Sequence, residues 1–138
     1  MTDILFISPN NSATIYQSLA GKYSAIEPPT WALLLAESCR AKGHVVKILD
    51  TLAEQLSDKE ALNRIKILNP SVICFVVYGQ NVNAGTANMS GAVRLSNYLK
   101  VHGITQLIGF VGSHVQALPK KTLESETPPY INIYFQCP

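Results

Sequence analysis

Charge and glycine-rich phosphate loops are what this 138-residue chain has least of. Charged residues make up 14% of it, eleven Lys/Arg against nine Asp/Glu, with no basic block, so no nucleic-acid partner is expected. No GxGxxG follows the first apolar run and no GxxxxGK[ST] occurs anywhere, which removes the two common nucleotide cradles. No apolar stretch reaches the ~18 residues that span a bilayer. Met1-Thr2-Asp3 leads straight into a strand without a basic leader, so a cytoplasmic protein without a membrane partner is expected. Cys39, Cys74 and Cys137 are odd in number and widely spaced, unlike a disulfide framework or a CxxC metal site, and are read as buried or incidental thiols. No strand end carries the acidic cluster that holds magnesium in phosphoryl-receiver domains.

What is present suffices for one core: 47% hydrophobic residues in a length typical of a single domain, taken as residues 1–138. Short apolar runs alternate with stretches of helical period. Ile4–Ile7 is apolar throughout, the mark of a strand covered on both faces. Pro9 to Pro29 shows no clean period, although Tyr16, Leu19 and Tyr23 can form one packed turn. Pro28-Pro29-Thr30 opens a helix whose core face is expected to be Trp31, Leu34, Leu35, Ser38 and Cys39, ended by Gly43. Val45–Leu49 is a second strand. Ser57 to Glu60 spells a capping box for a helix burying Leu62, Ile65 and Leu68. Ser71–Val77 is the third strand, Thr86 the expected cap of a third helix with Met89, Ala92, Val93, Ser96 and Leu99 on one face, and Leu107–Val111 the fourth strand. A short helix runs on to Leu123, and Tyr130–Phe135 reads as a fifth strand.

This alternation predicts an α/β fold: a flavodoxin-like (Rossmann-like), doubly wound, five-stranded parallel sheet of order 2-1-3-4-5. Ligands of such sheets sit beyond the carboxyl ends of the strands, at the switch point between the first and third. The candidate cofactor-binding residues are therefore Ser8, Pro9 and Asn10, then Tyr78, Gly79, Gln80 and Asn81, then Gly112, Ser113 and His114. Hydroxyls, amides, an imidazole and bare glycine backbone suit a neutral ligand rich in amides better than a phosphate-rich one. Asp50 reads as a loop or capping residue rather than a ribose ligand. His44 and His102 adjoin helix-ending glycines, where solvated histidines are at home.

Taken in order, several segments resemble one family. They are the first strand running into Ser8-Pro9-Asn10, then Pro28-Pro29 with a helix ending Arg40-Ala41-Lys42-Gly43-His44-Val45-Val46, then Asp50. Asn69-Pro70-Ser71-Val72-Ile73 and Gly112-Ser113-His114 through Leu118-Pro119 continue the series. The chain resembles the N-terminal cobalamin (vitamin B12)-binding domain of cobalamin-dependent radical SAM enzymes. The resemblance implies that the three strand-end turns cradle the corrin ring while the nucleotide tail descends between the sheet and a flanking helix. Two departures narrow this. The DxHxxG motif, whose histidine ligates cobalt from below, is missing, which leaves Tyr78 or Gln80 as candidates to shield that face. The CxxxCxxC of a radical SAM barrel is missing too, so S-adenosylmethionine and a [4Fe-4S] cluster would belong to a domain elsewhere, in cis or in trans. The expected function is to position cobalamin for methyl transfer by that domain, with no catalytic residue of its own. The alternatives are a flavodoxin-like FMN- or nucleotide-binding protein and a ligand-free interaction domain docking through Trp31 or the Tyr134–Phe135 tail.

Overall fold

The computed structural model of the chain describes residues 1–10, 26–78, 82–117 and 120. Strands and helices alternate: β1 (Ile4–Ser8), α1 (Thr30–Arg40), β2 (Val46–Asp50), α2 (Asp58–Leu68), β3 (Val72–Val76), α3 (Val82–Val101), β4 (Leu107–Val111) and α4 (Ser113–Ala117). The strands form one parallel sheet of order β2-β1-β3-β4, with Ile4 in register with both Val46 and Val72, and Val72 with Leu107. This is the expected α/β architecture over four strands. The fifth strand expected at Tyr130–Phe135, the turn at Tyr16–Tyr23 and the end of the last helix lie outside the described residues.

Alternation along each strand divides the core in two. Leu5, Ile7, Leu49, Ile73, Phe75, Val77, Ile108 and Phe110 face α2 and α3, which contribute Ala61, Leu62 and Ile65, and Met89, Ala92, Leu95 and Leu99. Phe75 and Phe110, paired in register, stack with ring centroids 5.3 Å apart. Phe6, Val46, Cys74, Val76 and Val111 face the other way, onto Ala32 and Ala36 of α1, with Leu35 and Cys39 packed against them.

Two helical expectations are corrected. The buried stripe of α1 is Ala32, Leu35, Ala36 and Cys39, while Trp31 and Leu34 are 50% and 58% exposed and Ser38 is exposed as well. Small side chains let the helix backbone approach the sheet closely, which turns its largest side chains outward. Helix α3 starts at Val82, so Thr86 lies inside it instead of capping it, and Leu95 joins the buried face that sequence period had assigned without it. The capping box of α2 is formed as expected: Glu60 N–H donates to Ser57 Oγ (3.3 Å), and Ser57 N–H donates to the Glu60 carboxylate (2.9 Å). Asn69, in the left-handed region (φ 42°), ends that helix.

At the outer side of the sheet, the Val45 carbonyl accepts from the Asp3 and Ile4 N–H groups, while the next carbonyl, Val46, accepts from Arg40 Nη2 (3.2 Å). Successive carbonyls of a strand point to opposite sides, so Arg40 covers a backbone acceptor that β1 does not use.

Candidate functional site

From β1 the chain crosses to β2 on one side; from β3 it crosses to β4 on the other. The connections therefore diverge between β1 and β3, and the carboxyl ends of these neighbours, with that of β4, form one rim. Ser8, Pro9 and Asn10, then Tyr78, then Gly112, Ser113 and His114 come together along it. Gly79, Gln80 and Asn81 lie outside the described residues.

Contacts between distant segments shape the rim. The Ser8 carbonyl accepts from both Thr51 Oγ1 (2.8 Å) and Thr51 N–H (3.1 Å). The Asn10 carbonyl accepts from Arg94 Nη2 (3.3 Å), whose guanidinium also holds Asp58, the first residue of α2. Asn88 Nδ2 donates to the Tyr78 carbonyl (3.1 Å). Asn88 thus marks where α3 draws level with the end of β3. At ~1.5 Å of rise per residue, the six helical residues before it extend roughly 9 Å beyond that level on the α3 face. On the opposite face, the Tyr78 ring stacks on Trp31 at the start of α1, centroids 4.7 Å apart and planes 23° from parallel. Gly112 is obligatory: a Cβ there would overlap the carbonyl oxygen of Val77, so only bare backbone lets the ends of β3 and β4 close up.

The rim turns carry no acidic or lysine side chain among the described residues, and the charged groups nearby are engaged. Asp50 accepts from Leu52 N–H (3.2 Å) and Ala53 N–H (3.0 Å), the capping role expected of it. Arg94 and Asp58 pair with each other. The Ser57 hydroxyl and N–H hold the Glu60 carboxyl below its ordinary range. Burial, with a smaller contribution from Cys39, pushes the Cys74 thiol up to about 12, consistent with an inert core thiol. Partial burial lowers Lys100, far from the rim, where its ammonium donates to the Gln106 carbonyl (3.0 Å). No group of three or more His, Cys, Asp or Glu among the described residues could hold a metal ion, and no described helix is long and apolar enough to cross a membrane.

The site expected from sequence is thus brought together in its described part, with two differences of detail. Pro9 and His114 are buried, His114 to 7% exposure, so the imidazole is packed into the molecule and Ser113 is the more open of the pair. Trp31, Asn88 and Arg94 were not expected at the site. A tryptophan at helical spacing reads as core, and an arginine or asparagine in mid-helix as a solvated face. Only the stacking on Tyr78 and the reach of the side chains to two strand ends reveal them. No protein-family model, curated protein or solved structure matches the chain.

Proposed function

We propose that this chain is a cobalamin-binding module whose carboxyl rim seats the corrin for methyl transfer by a radical SAM domain, in cis or in trans, in the cytoplasm. The convergence of three uncharged strand ends, Ser8–Asn10, Tyr78 and Gly112–His114, beside the β1–β3 switch point carries the reading. The donor set fits the group: Ser8, Asn10, Tyr78 and Ser113 offer hydroxyls and an amide to the neutral amide arms of a corrin, and the charged groups beside the turns, Asp50, Arg94 and Asp58, have partners within the protein. Gly112 keeps the rim flat where a side chain would part β3 from β4. Bound cobalamin supplies the methyl-carrying metal centre; the chain binds and orients it and performs no bond-making step itself. Incubation with hydroxocobalamin followed by gel filtration tests this. Visible absorption comigrating with the protein is expected, and a colourless protein peak would sink the proposal.

The exposed apolar residues Leu33 and Leu34 of α1 favour a second reading, a protein-interaction domain. It predicts a colourless protein whose self-association or partner binding is lost in Leu33→Ser/Leu34→Ser.

A further inference from the structure

We infer that Trp31 and Tyr78 together form an aromatic seat for the flat conjugated face of the ligand at the mouth between α1 and the sheet, an assignment that rests on the cobalamin reading. Three observations point to it. The fold does not need the indole: Ala32, Leu35, Ala36 and Cys39 make the contact of α1 with the sheet, and Trp31 stays half exposed. The ring is nonetheless held in place, because it stacks on Tyr78 at 4.7 Å, and the Tyr78 backbone is fixed by Asn88. A large apolar ring oriented in advance loses little freedom on binding, which is what a stacking site requires and an incidental surface residue lacks. Finally, the pair lies across the rim from the part of α3 that extends beyond the strand ends, so a flat molecule laid on the turns would have protein on two sides. Exposed aromatic faces of this kind favour conjugated ring systems over compact ions, since the stacking gain grows with overlapping area.

Titration of the 138-residue chain with hydroxocobalamin, followed by absorption, distinguishes this seat from the underlying function. Trp31→Ala is expected to bind at least tenfold more weakly than wild type and Trp31→Phe within about threefold. Leu34→Ser, one helical turn farther from the rim, is expected to stay within twofold. Tyr78→Leu, which removes the other ring, is expected to repeat the Trp31→Ala loss. Circular dichroism and thermal melts confirm that each variant is folded. A wild type that binds while Trp31→Ala binds equally well overturns the seat and leaves the cobalamin reading standing. The seat is also overturned if Trp31→Phe loses as much affinity as Trp31→Ala, because the ring would then not be the operative feature. A colourless wild type overturns both, and weakened binding in Leu34→Ser alone transfers the role to the apolar flank of α1.

Discussion

The two faces of the sheet are covered by different means. On one, α2 and α3 press leucine, isoleucine and methionine into a layer of Ile7, Ile73, Phe75, Ile108 and Phe110. On the other, among the described residues, α1 alone meets the sheet, through the buried Ala32 and Ala36 with the partly buried Leu35 and Cys39 beside them, while Trp31, Leu33 and Leu34 remain outside. Burying a large aliphatic or phenyl side chain contributes about 1.5–3 kcal/mol, so the first face holds most of the stability. The α1 face, which needs less of its helix for packing, leaves Trp31 half exposed beside the rim.

The largest effect that would test this contrast is Phe75→Ala on the thick face. Loss of a fully buried ring and its stack on Phe110 should cost about 4 kcal/mol in urea unfolding. Gly112→Ala comes next, at about 3 kcal/mol, because the new methyl must displace the Val77 carbonyl and so disturbs the thick face at its upper edge. The same variant should lose hydroxocobalamin binding. Ser57→Ala should cost about 1 kcal/mol through the α2 cap. The cap also predicts a pH dependence. Glu60 is held below its ordinary 4.5 in the folded chain, so its contribution is fully present above that pH and fades as the pH falls through the lower folded value. A wild-type stability curve as steep as that of Ser57→Ala below pH 4.5 would contradict it. Trp31→Ala should be the mildest, below about 1.5 kcal/mol, since half the indole already faces water. A loss comparable with that of Phe75→Ala would erase the distinction between the faces. A chemical probe sharpens it: with its thiol at about 12, buried Cys74 should resist alkylation at pH 8 in the native state while half-buried Cys39 reacts first. Rapid labelling of Cys74 would mean that α1 opens far more readily than its packing implies.

The strands were legible as short runs of apolar, largely β-branched residues, broken by charge inside a run only at Lys47 of β2, and the order of the first four followed from alternation with helices and right-handed crossovers. The Ser57–Glu60 cap was legible because its chemistry is local. The face of α1 was misread because hydropathy weights Trp31 and Leu34 above Ala32 and Ala36, whereas close packing on a flat sheet rewards the smaller side chains. The start of α3 was misread because polar residues around Asn81 and Asn83 look like a loop and Thr86 looks like a cap. At the candidate site, Gly79, Gln80 and Asn81 lie outside the described residues, while the placing of Ser8–Asn10, Tyr78 and Gly112–His114 on one rim followed from topology. The Trp31–Tyr78 stack and the Arg94 tie did not, since both join segments far apart in the chain and have no local pattern.

The guanidinium of Arg40 on the Val46 carbonyl has a consequence for how this protein survives crowded conditions. A foreign extended segment seeking to template itself along β2 meets an acceptor already filled and, next to it, the exposed ammonium of Lys47 that would have to shed its water. Among the described residues, these two side chains are what guards that flank against runaway fibre growth.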